Sequence, residues 1–305
     1  MKKLDTADWT THCFGRHLVD LPPNARIDQP IFKMFKEQIK LTKIRSAAEL
    51  EDVVAAREAE LKSQKHDTAG SMFIGRELGE KRAITLKLWS TSNSKDIVRI
   101  ETFFISNNPF HCYSYNSLGE LERLKIGLSI RNDISAALTS RDPRTIPTTL
   151  GFCIEQGFIA INELNTESFD VSIGLPGRKD VSFGISTYVQ GKVDESLLER
   201  TSGLMGSVIG IATGTSTLRR GKHPVGPIDA EEILVAGTEH GKRLYAFEWE
   251  APGKARSIAE PHMSASLGVL EGQYKTNAES FKDDDEALAL WDAVIDSIRL
   301  RPGAV

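Results

Sequence analysis

The sequence predicts an α+β protein made of two related domains, each a mainly antiparallel sheet with two helices. Three observations predict it. Several runs alternate apolar and polar residues at the two-residue period of a half-buried strand. Four segments carry helix signals. The order of strands, capped helix, strands and closing helix then occurs twice. Alternation leaves one face of a sheet covered and the other wet, which is the habit of antiparallel rather than doubly wound parallel sheets. A chain of 305 residues is comfortable for two domains.

Taken in order, the opening stretch holding His12, Cys13 and His17 reads as a strand. Five positions apart, the two histidines point to opposite faces, so they are ordinary surface or half-buried side chains rather than a shared metal site. Ser46-Ala-Ala-Glu49 is a capping box that opens the first helix, whose apolar stripe is Leu50, Val53, Val54 and Leu61. Alternating strands follow at 83–89 and 96–103. A short helix is expected from a cap at Asp133, with Ile134, Ala137 and Leu138 on its inner face. Further strands are expected at 181–189 and 243–250. Between these two, a second capping box, Ser196-Leu-Leu-Glu199, opens a helix carrying Leu197, Leu198, Thr201, Leu204, Met205 and Val208. The last helix starts in Asp283-Asp284-Asp285-Glu286 and buries Leu288, Trp291, Val294, Ile295 and Ile298, with Trp291 as its core anchor.

The repeat has a consistent spacing. Ser46 and Ser196 stand 150 positions apart, as do Asp133 and Asp283. Cys13 and Cys153, each near a strand start, are 140 apart. The joint falls at Arg141–Pro147, where Pro143 and Pro147 keep it short and stiff. The domains are therefore 1–145 and 146–305.

Residues 212–227 read as a loop longer than most compact domains use, made basic by Arg219, Arg220, Lys222 and His223. It is either a clasp for an acidic partner or a solvated loop. Arg16 has two readings: a bidentate anion binder, or the preferred structural one, in which it pairs with a nearby carboxylate such as Asp20. The acidic run at 283–286 is read as helix N-terminal charge rather than a cation site.

Catalytic signatures are missing. There is no G-x-S-x-G elbow, no H-E-x-x-H and no G-x-G-x-x-G after a strand. The stretch Gly237 to Arg243 has one residue too few for a phosphate loop and reads as a hairpin turn. No catalytic, cofactor-binding or metal-binding residue is assigned, and the chain is expected not to be an enzyme. Lys and Arg number 38 against 42 Asp and Glu, with no basic block, which argues against a nucleic-acid partner. No apolar run approaches the 18 or so residues that span a membrane. The first residues hold the pair Lys2-Lys3 but no apolar stretch, so they do not read as a signal peptide. Cys13, Cys112 and Cys153 are too few for a disulfide framework. Buried thiols are the default for all three, with one disulfide as the alternative.

Several segments together resemble one family. The opening matches at Cys13, Gly15, Arg16, Leu18, Asp20, Leu21 and Pro22. Gly151-Phe152-Cys153, the stretch Glu248 to Lys254, and the tail from Trp291 to Gly303 follow in order. This pattern resembles the immunity proteins that neutralise lipase effectors of type VI secretion. The resemblance implies two domains arranged like a claw, a non-enzymatic role, and a 1:1 complex of a monomer with its cognate lipase or phospholipase effector, whose lid or substrate entrance it blocks. It also implies the periplasm, with the cytoplasm as the alternative where no export signal is read. Two other classes compete: an enzyme of unknown chemistry at the inter-domain cleft, and a structural module of the secretion apparatus.

Overall fold

The computed structural model describes residues 4–162, 166–201, 215–239, 242–269 and 280–305. In chain order the elements are β1 (Thr10–Phe14), β2 (His17–Leu21), β3 (Arg26–Met34), β4 (Glu37–Leu41), α1 (Ala47–Ser63), β5 (Phe73–Leu78), β6 (Ile84–Trp89), β7 (Ile97–Ser106) and β8 (His111–Glu120). There follow α2 (Leu124–Ala137), β9 (Leu138–Ser140), β10 (Phe152–Ile154), β11 (Gly157–Ile159), β12 (Ser168–Gly174), β13 (Ser182–Tyr188) and α3 (Leu197–Arg200). The chain ends with β14 (Ser216–Lys222), β15 (Glu231–Glu239), β16 (Lys242–Ala251), β17 (His262–Val269), α4 (Asp284–Ile295) and β18 (Arg299–Leu300). The expected α+β class and antiparallel pairing are both found.

Two compact units form. One joins residues 1–31 to 163–305, and the other is 32–162. This cut differs from division of the sequence near residue 145 because the first strands pair with the last. β1 and β2 make a hairpin with Phe14 opposite His17, and β2 pairs in turn with β18, setting His17 against Leu300. A local reading of sequence has no access to a pairing between chain ends.

In the unit of residues 1–31 and 163–305, β14, β15, β16, β17, β13 and β12 lie side by side in that order. Trp249 and Trp291 are fully buried there. Trp291 packs edge-on to Phe247, with centroids 5.6 Å apart, and tilted against Phe183 at 5.9 Å. It is the core anchor the sequence indicates. α4 begins at its Asp283 cap, whose carboxylate accepts from the Glu286 N–H at 2.9 Å. α3 carries the complete capping box at Ser196 and Glu199. Leu204, Met205 and Val208, expected on the same helix, lie outside the described residues.

In the unit of residues 32–162, the order is β4, β8, β7, β6, β5, with the end of β3 against β4. α1 covers this sheet through Leu50, Val54 and Leu61, packed with Ile84, Leu86, Leu88 and Ile105. Val53, placed by the sequence on the same stripe, is 40% exposed. Ser46 caps α1 as expected, accepting from the Glu49 N–H at 3.1 Å, but the Glu49 carboxylate reaches the Arg45 N–H instead of completing the box.

α2 begins at Leu124, so Asp133 lies inside the helix and caps nothing. The first half escaped recognition because Gly127 and the buried Arg131 interrupt its apolar stripe. The 150-residue spacing of the closing helices therefore fails, while that of the capping serines stands. The supposed loop at 212–227 is also corrected: its residues 216–222 are β14, paired with β15 through Lys222 and Glu231. Its polar, basic residues hid a strand with little apolar alternation.

Cys112 is a buried free thiol. Cys13 and Cys153 are disulfide-bonded, so the default of buried thiols holds for Cys112 alone.

Candidate functional site

Arg16 sits in the turn between β1 and β2 and is almost wholly buried. Its guanidinium forks onto Glu167, Nε to Oε1 at 2.6 Å and Nη2 to Oε2 at 2.8 Å, while Nη1 donates to the Ala304 carbonyl. The structural reading of Arg16 is correct but the partner is not Asp20. That carboxylate takes Arg299 at 3.0 Å and the Thr11 hydroxyl at 2.6 Å. Bidentate arginine–carboxylate pairs fix geometry as well as energy, so the Gly15-Arg16 and Arg299-Leu-Arg301 segments lock the chain ends together. Beside them His17 is buried and its pKa falls to about 4, first from burial and then from the Arg16 charge. Both of the other family segments contain glycines with no room for a side chain. A Cβ at Gly151 would overlap the Ile159 carbonyl, and one at Gly253 the Pro261 carbonyl.

Arg219 of β14 and His223 just after it meet acids of their own unit, whereas Arg220 and Lys222 are exposed and Arg220 donates to the Leu198 carbonyl at 3.1 Å. His223 Nδ1 meets Glu232 at 2.6 Å and its Nε2 meets Asp296 at 2.9 Å. Arg219 pairs with Glu232 at 2.8 Å and with Asp292 at 3.1 Å. The Trp291 indole N–H donates to Glu232 at 3.2 Å. The Glu232 hydrogen bond, aided by Asp296 and opposed by burial, lifts His223 to about 8. Two of the acids at 284–286 are likewise engaged: Asp284 with Arg243 at 2.8 Å, and Glu286 with Arg178 at 2.7 Å. Among the described residues no three His, Cys, Asp or Glu side chains gather in a metal-binding group.

Two cavities remain of interest. One, of about 600 Å³, is lined by Tyr188, Lys192, Arg200, Glu250 and His262. Burial would raise the Glu250 carboxyl, but His262 and Arg200 outweigh it and hold its pKa down to about 2. The other, of about 590 Å³, is an open groove between α2 and β8 in the unit of residues 32–162, with Arg131 on its floor. Sequence reasoning missed Arg131 entirely; the available signal was a charged residue at an inward helical position, three before Ile134.

Solved structures share the architecture along nearly its whole length. The apo structure of immunity protein TplEi of the T6SS from Pseudomonas aeruginosa is 35% identical, with a TM-score of 0.91, covering 98% of this chain and 99% of that one. A chain of the Tle4–Tli4 complex is 34% identical, with a TM-score of 0.92, covering 99% and 100%. TplEi complexed with "L" peptide matches at 34% identity and a TM-score of 0.85, covering 98% and 100%. No curated protein matches. The fold is thus that of secretion-system immunity proteins. Family models for the Tle cognate immunity protein 4 N-terminal and C-terminal domains match residues 10–111 and 145–303, and the chain belongs to that family.

Proposed function

We propose that this protein neutralises a cognate lipase effector of type VI secretion by binding it 1:1 and covering its lid or substrate entrance, with no turnover of its own. The observation that carries this reading is the likeness, over 99% of the chain, to a chain of the Tle4–Tli4 complex. Stoichiometric occupation demands slow dissociation, and a nanomolar complex needs about −12 kcal/mol. A claw of two domains, inherited as the halves 1–145 and 146–305, supplies that energy by gripping from two sides, since linkage raises the effective concentration of the second contact.

The periplasm is the proposed compartment. Disulfides persist in oxidising compartments, and Cys13 and Cys153 are disulfide-bonded. No helix among the described residues is long and apolar enough to cross a membrane. Maleimide labelling of protein from intact cells tests this: Cys13 and Cys153 react only after reduction if the compartment is oxidising.

The direct test is titration of a candidate cognate lipase effector with the full chain. Lipase activity reaching zero near equimolar ratio is expected, and unchanged activity at excess overturns the proposal. The full chain is required because a cut at Pro147 would pass through the compact unit of residues 32–162. Purified protein is expected to leave ester and phospholipid substrates untouched.

A further inference from the structure

Arg131 is 3% exposed, yet no carboxylate lies within ion-pair distance of it among the described residues. Its three hydrogen bonds all go to neutral acceptors. Nε donates to Thr102 Oγ1 at 2.8 Å, Nη1 to the Gly127 carbonyl at 2.6 Å, and Nη2 to Ser117 Oγ at 2.6 Å. The Tyr115 ring lies beneath, 5.1 Å from the guanidinium carbon. Of five guanidinium N–H bonds, one on each Nη is left over. A buried cation without a counter-ion is costly, and burial pushes this guanidinium below its usual range, with Tyr115 and Glu37 opposing.

The groove above Arg131 is apolar and open. Leu118 of β8 and Ile126 of α2 are among its lining residues, at 57% and 63% exposure. At its end, the turn after β3 holds Phe35 and Lys36 at φ of 53° and 69°, a left-handed conformation that a bulky L-residue rarely adopts. Met34 and Glu37 pair across this two-residue hairpin, whose turn requires positive φ at both central positions and so fixes the end of the groove.

We propose that this groove is a docking site for a segment of the effector in which an Asp or Glu side chain is flanked by aliphatic residues, the carboxylate meeting the free edge of Arg131 and the aliphatics covering Leu118 and Ile126. The inference rests on the antitoxin reading and assigns it a contact point. The unused N–H bonds of Arg131 select the acid, against Glu37 and Glu120 on the same lining. Openness selects a protein segment over a free fatty acid, because small-ligand sites enclose roughly 70–90% of their occupant, which this trough does not.

The test titrates the cognate lipase effector with the wild-type chain, the double variant Leu118→Asp/Ile126→Asp, and Arg131→Gln, following affinity and melting temperature. Both aliphatics are solvent-facing, so the double variant keeps the wild-type melting temperature and loses about 100-fold in affinity, a typical hot-spot loss. Arg131→Gln loses affinity and also flattens its dependence on salt. If Arg131→Gln does not fold, the double variant still decides. Unchanged affinity in the double variant overturns the groove while leaving the antitoxin function standing. A wild-type chain that fails to bind the lipase removes both. Saturable binding of dodecanoate, lost in the double variant while lipase affinity is unchanged, replaces the proposed occupant with a lipid.

Discussion

Glu232 and Arg131 are both charged side chains taken out of water, and the two compact units treat them in opposite ways. Glu232 is surrounded by His223, Arg219 and the Trp291 indole, so its charge is met within its own unit. Arg131 is held by a hydroxyl on either side, a carbonyl and an aromatic face, none of them charged. A structural charge is closed by its neighbours. A charge retained for an outside partner keeps part of its bonding capacity open, at a cost to the free protein. The comparison separates scaffold from surface more sharply than exposure does, since both side chains are nearly invisible to solvent.

The largest expected effect breaks the closed side. Glu232→Gln leaves Arg219 and His223 with fewer acids and weakens the anchor under Trp291. Loss of one partner from a buried ionic cluster costs about 3–5 kcal/mol. Chemical denaturation is the measurement, and a cost below about 1 kcal/mol would mean that Asp292 and Asp296 already satisfy the cluster without it.

Next comes closing the open side. Ser117 Oγ lies 2.6 Å from Arg131 Nη2, so Ser117→Asp supplies the internal carboxylate that Glu232 represents in the other unit. A charge-assisted hydrogen bond contributes about 1–3 kcal/mol. The variant is expected to gain stability and to lose lipase affinity together. A gain in stability with full affinity would detach Arg131 from docking.

The third effect is a pH dependence confined to the closed side. The folded pKa of His223, about 8, lies above its ordinary value of 6.5. The unfolded chain therefore releases the proton first as pH rises, and the stabilisation present below pH 6.5 is lost through pH 8. Allowing for solvent screening, the loss is about 1 kcal/mol. Stability curves at pH 6 and 8.5 check it, and His223→Gln should flatten the difference.

Much of this was legible locally. Ser46 and Ser196 announce their helices, Asp283 its cap, and Trp291 its core, because capping and helical periodicity act within a few residues. The family pattern was legible as well, and Gly151 and Gly253 explain part of it as positions where backbone crowds backbone. What could not be read was non-local or atypical. Arg16 finds Glu167 across 151 positions, not Asp20 across four. β14 hides in a basic stretch in which Arg219 and His223 pair with side chains on β15 and beyond the end of α4 while Arg220 and Lys222 stay exposed. α2 hides its first half because Gly127 and Arg131 occupy places where an apolar residue is expected, and those departures mark the candidate docking site.

The smallest expected effect concerns the rim of that groove. Arg123 and Glu120 form an ion pair at 3.1 Å, with both side chains more than half exposed. Pairs of this kind contribute about 0–1 kcal/mol, so Arg123→Ala should leave stability nearly unchanged. Its effect should appear in kinetics. A rim cation beside a site that takes an acid steers the approach of that acid, and rim charges act on association rates and their salt dependence more than on dissociation. Arg123→Ala is therefore expected to slow association with the lipase severalfold at low salt, with the difference vanishing as salt screens charges beyond about 10 Å. Arg131→Gln should instead raise the dissociation rate at every salt concentration, because its charge acts within the closed contact. Stopped-flow mixing at two ionic strengths separates the two. If both variants change only association, the partner's acid stays at the rim and Arg131 is structural after all.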